Sequence, residues 1–567
     1  MASVTIASGA GANDKSEPLP AITYKLVQEV QPDPRWKVSI AGTGFARLTK
    51  PLRLRLVEWG GWPAVDGYYL RGLTAHPPLK PDAERRGEFV LETPASWDGT
   101  FEVCYTIPLI PVGSAVQQQH GLLPCSMEGN AGGFSVNTLM QVETGGRDVD
   151  ISFRVVPPKS MCVATGWGGV TPGEQRVGLA AAMPNTPIVF GQPTGLRRRQ
   201  HGSLAYEVAQ FGPGRDRTDE VLRVARTVIP MYARHSGRPR ELPVRVFLFD
   251  GATGATHTTS ACLVSYRPDE QTVSPEFKHT IAHELFHDWL GAGGAIEGNE
   301  TITWFHEGFT DYLSLWHCAA GGVVGHDWFA ERLAAIDAEA RRSSAYGHVA
   351  FAQHGVNWRS GANETLAYRG GAVLAFLVDV ELRKQGRPGL MQLISDLGAA
   401  SRKGPVSLHE IQEWMKRKGL GRLFASWVDG KELPPIGGRL AALGFAAEDA
   451  PADLTYFGIR VEQGRITALD PDGPAAKAGA RVGDRIIGYF PTRPDCPRIS
   501  KQVTTTYRFG LDTIEPGVRG TFIDVQRGKE ELRLPVQPRV IPGGLVTRYV
   551  PDESRLRSFF EYGASDR

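Results

Sequence analysis

The chain has no run approaching the ~20 consecutive apolar residues that a bilayer-spanning helix needs. It is poor in cysteine: the six present (Cys104, Cys125, Cys162, Cys262, Cys318, Cys496) are scattered without a CxxC pair. That excludes a disulfide scaffold and a cysteine-based zinc site. An excess of charge is also missing, since 63 Lys and Arg face 61 Asp and Glu for a formal net charge of +2. Such a balance offers no electrostatic reason for nucleic acid or an anionic membrane as partner. The densest basic run, Arg197-Arg198-Arg199, has no interleaved aromatics and reads as a solvated loop. The N-terminus lacks the apolar stretch of a signal peptide and reads as a flexible tail over 1–22. The compartment stays open: cytoplasmic, or periplasmic or secreted if a signal has been removed upstream. No internal repeat is visible.

What is present is patterned. At about 100–200 residues per domain, 567 residues suggest three or four domains. Over 23–165 short period-two runs such as WKVSIAG (36–42), GTFEVCYTI (99–107) and VDISFRVV (149–156) are broken by Gly and Pro, which predicts an antiparallel β domain. TDEVLRVARTVIPMYARHS (218–236) has helical spacing, with Thr218 or Asp219 as N-cap, and LPVRVFLFDG (242–251) reads as a buried strand. From about 303 to 450 the pattern is mostly helical, and from 451 it turns β-rich again for about 85 residues.

The segment SPEFKHTIAHELFHDWLG (274–291) reads as one helix, capped by Ser274, opened by Pro275 and Glu276, and ended at Gly291. It carries the chain's single H-E-x-x-H, His283-Glu284-Leu285-Phe286-His287. Residues i and i+4 lie one above the other on a helix, so both imidazoles reach one ion. Zinc takes such nitrogen ligands tetrahedrally, leaves a position for water, and lowers that water's pKa to about 7, where Glu284 can take the proton. The third ligand cannot be a metzincin histidine, because Leu290 and Gly293 stand where Gly and His would be required. Downstream, TWFHEGFTDYL (303–313) places Glu307 among Trp304, Phe305, Phe309 and Tyr312, where an unpaired carboxylate would be costly. A carboxylate about twenty residues past the second histidine is the gluzincin arrangement. Asp311, one turn later, can accept the free N–H of a ligating histidine. The further histidines His257, His279, His306 and His317 read as packed or solvated, with His257 the one placed for a substrate-side role.

These motifs, together with AYRGGAVLAFLVDVELR (367–383) and LFASWVDGKELPPIGGRLAALGF (423–445), resemble the glycyl aminopeptidase family of gluzincins. The resemblance spans about residues 100–540. It implies a multidomain α+β chain: an N-terminal antiparallel β domain (23–165), a thermolysin-like zinc catalytic domain (166–320), a helical domain (321–450), a PDZ domain (451–540) and a tail (541–567). It implies one catalytic Zn2+ on His283, His287 and Glu307. It also makes Tyr368 the donor to the oxyanion of the tetrahedral intermediate, although Arg369-Gly370 departs from the family's Tyr-x-Lys-Gly. The module after 451 is similar to PDZ domains of bacterial proteases. Tyr456-Phe457-Gly458-Ile459 matches the carboxylate-binding loop and GPAAKAGARVGDRII (473–487) the helix that follows.

The expected reaction is hydrolysis of peptide or protein substrates by a zinc-bound water that Glu284 activates. The cleavage mode is open. The family holds a substrate's free α-amine with a glutamate, and Thr256 of GATHTTS (254–260) stands at that position, beside His257. Threonine offers no charge, and a charge-assisted bond is roughly twice as strong as a neutral one. Either Glu297 or Glu300 supplies the anchor and the enzyme is an aminopeptidase, or the amine is not held and it is an endopeptidase. A third reading makes the chain a PDZ-centred peptide-binding protein on a peptidase scaffold. Side-chain preference and oligomeric state are not readable from the sequence.

Overall fold

The computed structural model describes residues 19–30, 33–46, 51–55, 70–82, 88–111, 124–127, 130–135, 138–144, 148–179, 186–237, 239–250, 255–258, 261–266, 273–290, 302–343, 345–351, 353, 363, 365–400, 407–462, 465–491, 521–537 and 539–560. Two compact units emerge, and their borders do not follow the expected 23–165 division. One comprises 1–109, 135–163 and 171–184; the other takes 110–134, 164–170 and all of 185–567.

The first unit is β-rich, as the period-two runs predict. Its six-stranded sheet runs Gln175–Leu179, Asp150–Val156, Ala21–Glu29, Arg35–Thr43, Phe101–Pro108, Arg71–His76. Trp36, Val38 and Ile40 are buried on one face while Lys37 and Ala41 are exposed on the other. The sheet departs from pure antiparallel pairing at one place. Ala21–Glu29 runs parallel to Asp150–Val156, a pairing too distant in sequence to be read locally. That strand also begins inside the segment expected to be tail.

The second unit is built on a five-stranded sheet in the order Pro193–His201, Leu204–Phe211, Val244–Asp250, Cys262–Tyr266, Ala255–His257. The middle three strands are parallel. A parallel return needs a crossover, and the helix Thr218–Ser236 supplies it between the second and third strands. Its N-cap is Arg217 rather than Thr218 or Asp219, because Asp216 accepts the Thr218 N–H at 2.9 Å. Arg197-Arg198-Arg199 is not a loop but part of the first strand. Arg197 pairs with Asp219 at 2.8 Å and Arg198 with Glu207 at 2.6 Å, so acidic neighbours hold the run in the sheet.

Helices cover this sheet and continue to residue 443: Pro275–Phe286, Thr303–Ala320, His326–Arg342, Gly371–Lys384, Met391–Ala400, Leu408–Arg417, Gly421–Val428 and Gly437–Leu443. One buried apolar cluster runs from Tyr206 through Trp304, Trp316, Phe376 and Trp414 to Phe559.

Beyond residue 443 the structure corrects two boundaries. A strand Phe445–Tyr456 crosses the expected division at 451 and pairs antiparallel with Arg539–Pro551. The expected tail is therefore strand, followed by a helix, Glu553–Phe560, with Leu556 and Phe559 buried. Pro and paired Gly in RVIPGGLVTRYVP hid the strand, and its partner lies over eighty residues earlier. The five-stranded sheet Ile459–Glu462, Arg465–Leu469, Arg485–Pro491, Thr521–Arg527, Glu530–Val536 is thus inserted between two paired strands. It has its own core of Phe457, Ile459, Ile466, Ala475, Ile523, Val525 and Val536.

Candidate metal centre and active site

The helix carrying H-E-x-x-H starts as its sequence dictates. The Ser274 hydroxyl accepts the Phe277 N–H at 3.2 Å, and Pro275 occupies the first turn. It ends earlier than expected, at Phe286, with His287 closing it; Gly291 lies outside the described residues. Ile281 and Leu285 anchor one face in the core, which turns His283 and His287 toward the helix Thr303–Ala320.

There His283 Nε2 lies 3.2 Å and His287 Nε2 3.4 Å from Glu307 Oε2. Among the described residues, these three form the single group of donors able to share one ion, all ligand atoms lying within 4.8 Å of one another. The outer edges of both imidazoles are engaged. His287 Nδ1 donates to the Leu290 carbonyl at 3.1 Å, which leaves Nε2 with its lone pair inward. His283 Nδ1 faces Asp311 Oδ1 at 3.6 Å, a separation that acts through charge rather than as a full hydrogen bond. Two nitrogen lone pairs and a carboxylate aimed at one point fit zinc, whose usual ligands are these.

The electrostatics agree. Burial opposes protonation of His283, yet Asp311, Glu307 and Glu284 outweigh it and raise the imidazole to about 10. Burial pushes Glu307 up, but the surrounding imidazoles His287, His306 and His283 hold it well below the usual carboxylate range. A buried cluster with this field favours positive charge, which a divalent cation supplies. Glu284 is also buried. Burial, with the Glu307 charge adding to it, raises its pKa above the ordinary carboxylate value against the pull of His283 and His287. The backbone N–H of His257 donates to its carboxylate.

Tyr368 sits in a π-helical turn, Leu366–Gly370, with its ring 6.3 Å from that of His283. Single π turns of this kind recur at functional sites. The turn is brought close by two glycines: a Cβ on Gly308 would lie 2.4 Å from Gly371 Cα, and one on Gly371 2.1 Å from the Trp304 carbonyl oxygen. No larger residue lets these helices approach so nearly, and Glu307 and Tyr368 flank the contact.

Thr256 lies half-buried on the edge strand Ala255–His257, opposite Leu263. His257 ends the same strand. Its imidazole is buried beside His287, at 6.2 Å between rings, with Nε2 3.1 Å from Asp288 Oδ1, and Asp288 is paired with Arg240. Burial, reinforced by the Arg240 charge, holds its pKa well below the ordinary value, and its backbone N–H is given to Glu284. Glu297 and Glu300 lie outside the described residues. The remaining histidines are packed. His279 Nε2 bonds the Asp311 carbonyl at 2.9 Å, the His306 ring lies tilted against that of His287 at 4.7 Å, and His317 pairs with His235 at 2.9 Å. Sequence reasoning missed Arg369, which binds Asp311 at 2.7 Å; its departure from the family motif was the available signal.

In the inserted module Tyr456 ends the strand Phe445–Tyr456, Phe457 and Ile459 enter the module's core, and Gly458 takes φ of +73°, a region that favours glycine.

No protein-family model and no curated protein matches this sequence. Solved structures do match. An aminopeptidase N family protein from Idiomarina loihiensis superposes with a TM-score of 0.67 at 15% identity, covering 95% of this chain and 100% of that one. An M1 zinc metallopeptidase from Deinococcus radiodurans gives a TM-score of 0.47 at 16% identity, over 73% of this chain and 94% of that one. At these identities the likeness speaks to architecture, and this chain has the fold of the Idiomarina aminopeptidase N family protein.

Proposed function

We propose that the chain is a zinc-dependent metallopeptidase that hydrolyses peptide bonds, with one zinc held by His283, His287 and Glu307. The observation that carries this reading is the convergence of those three ligand atoms within 4.8 Å beside the buried Glu284. When bound there, zinc supplies Lewis-acid chemistry, polarising a carbonyl and acidifying water. Glu284 takes the proton of the attacking water and passes it to the leaving amine, a role suited to a carboxylate whose pKa is raised. The Tyr368 phenol donates to the oxygen on which charge develops. The Leu290 carbonyl keeps His287 in the ligating tautomer, and the Asp311 charge faces the outer edge of His283. The likeness to the Idiomarina protein, named for the aminopeptidase N family, supports this; the narrower kinship to glycyl aminopeptidases rests on the sequence motifs.

The test is Glu284→Gln. This variant should bind zinc stoichiometrically, as the parent does, and lose turnover by at least about 10²–10⁴-fold. A parent protein without stoichiometric zinc, or a fully active variant, sinks the mechanism.

For cleavage mode we favour an aminopeptidase, with the substrate's N-terminal residue added along the edge strand Ala255–His257. A specific observation supports the rival endopeptidase: Thr256 on that strand brings no charge to an α-amine. A peptide and its N-acetylated twin separate the two. Strong preference for the free amine excludes the endopeptidase, and equal cleavage excludes the aminopeptidase.

The inserted sheet is proposed as a PDZ-type module that captures C-terminal peptides at Tyr456–Ile459. Its strand Ile459–Glu462 lies at the sheet's edge, where a peptide can add as a further strand. Calorimetry on the full chain should show peptide binding that amidation of the peptide's carboxylate abolishes. Equal binding of the amidated peptide rules out carboxylate capture.

A further inference from the structure

We propose that Arg369 is a positioning residue that couples the ligand His283 to the turn presenting Tyr368. The inference rests on the peptidase reading above and deepens it.

Arg369 is buried, with about a tenth of its side chain exposed, and a guanidinium so placed is costly unless paired. It has two carboxylates from two different helices. Nη1 donates to Asp311 Oδ2 at 2.7 Å, and Nε lies 2.8 Å from Glu339 Oε2. Glu339 is in turn held by Arg332 Nη1 at 3.4 Å. The planar fork therefore ties the π turn Leu366–Gly370 to the helix Thr303–Ala320 and to the helix His326–Arg342. A lysine, whose three donors share one nitrogen, could not reach the two carboxylates from separate atoms as Nη1 and Nε do.

Two consequences meet at the metal ligands. Arg369 occupies one oxygen of Asp311, so the other, Oδ1, is left facing His283 Nδ1 at 3.6 Å and His279 Nε2 at 3.5 Å. Asp311 is thereby aimed at the outer edge of His283, which keeps Nε2 turned toward Glu307. At the same time the inward pull on Arg369 fixes the rotation of the turn. Successive residues of a helical turn point in different directions, so anchoring Arg369 inside holds its neighbour Tyr368 over His283, at 6.3 Å between rings.

The experiment measures zinc affinity of the full chain by competition with a chromophoric chelator, alongside kinetics at saturating zinc. Arg369→Gln should bind zinc about 10–100-fold more weakly, the usual scale for losing an outer partner of a ligand. Once loaded, it should show a lowered kcat with KM within about two-fold. Asp311→Asn should weaken zinc to a similar extent, and the double variant no further than the weaker single, because both remove one linkage. Arg369→Lys should recover part of the affinity. Wild-type zinc affinity in Arg369→Gln, or losses that multiply in the double variant, would overturn the proposal. If Arg369→Gln does not fold, Glu339→Gln serves. It touches neither Asp311 nor His283, so a several-fold weakening supports the linkage and unchanged affinity refutes it. Failure of the parent to bind zinc brings down the peptidase reading itself; parental zinc binding with an unaffected Arg369→Gln brings down this inference alone.

Discussion

The side chains that would do chemistry were legible because their relations are local. His283, Glu284 and His287 share one helical turn, and Glu307 and Asp311 lie a turn apart on the next helix, so spacing placed each set on one face, and the likeness to the gluzincin arrangement joined the two. Arg369 was not legible in this sense, since Asp311 precedes it by 58 residues and nothing local reports the pairing. The partners of His257 were not legible for the same reason: its burial against Asp288 depends on the edge strand's position over the motif helix. For Tyr368, replacement by phenylalanine removes only the phenol oxygen. We expect kcat to fall about 10²–10³-fold with KM little changed, since an oxyanion donor acts mainly in the transition state. An effect confined to KM would make Tyr368 a substrate-binding group instead.

Among the elements, the helices were predictable as helices, but their ends and contacts were not. Helical periodicity over 370–385 could not show that the preceding residues form a wider π turn, nor that Gly308 and Gly371 bring two helices into backbone contact. Gly371→Ala places a Cβ 2.1 Å from the Trp304 carbonyl oxygen, so the helices must part. We expect a loss of about 1–3 kcal/mol in denaturant unfolding, as for other overpacked contacts, with activity impaired through Glu307 and Tyr368. Gly438→Ala is the control: helical, with nothing within 4 Å of its added Cβ, it should be neutral or slightly stabilising. Equal stability of the two variants would contradict the tight crossing.

A buried histidine pair joins two further elements. His235 Nδ1 donates to His317 Nε2 at 2.9 Å, and His317 Nδ1 donates to the Leu313 carbonyl at 2.6 Å, an arrangement that requires the His317 ring to be neutral. Burial lowers His235 from 6.5 to about 4, with Arg234 and Arg383 adding to it, and lowers His317 well below its ordinary value. Between about 6.5 and 4 the unfolded chain therefore binds more protons than the folded one, so this stabilisation is present above that window and lost as pH falls through it. His235→Gln keeps a donor for His317 and should show a shallower fall in Tm from pH 7 to pH 5 than the parent. An identical fall would mean the pair does not titrate as argued.

At the scale of the whole molecule, the C-terminal helix Glu553–Phe560 closes the paired strands onto the helical core. Phe560 stacks on His326 at 4.3 Å, Arg383 lies over Phe559 at 4.9 Å, and Arg555 donates to the Ala442 carbonyl at 2.7 Å. Ending the chain after Asp552 exposes the sites of Leu556 and Phe559. At about 1.5–3 kcal/mol for each buried side chain, the loss should be at most about 3–6 kcal/mol, read as a lowered Tm. A truncated chain with the parental Tm would show that the helix does not lock the core.

By itself the sequence determined what needs only local spacing: an amphipathic helix with two histidines on one face, a carboxylate-bearing helix after it, alternating strands, and a separate β-rich module. Tertiary structure alone decided what depends on partners far apart in the chain. It set the parallel pairing of Ala21–Glu29 with Asp150–Val156, the strand from Phe445 that meets one ending at Pro551, and the Arg369 fork joining three elements. The physical reason is the same in each case. Periodicity records which face a residue presents, whereas the identity of what covers that face is fixed only when distant segments pack together.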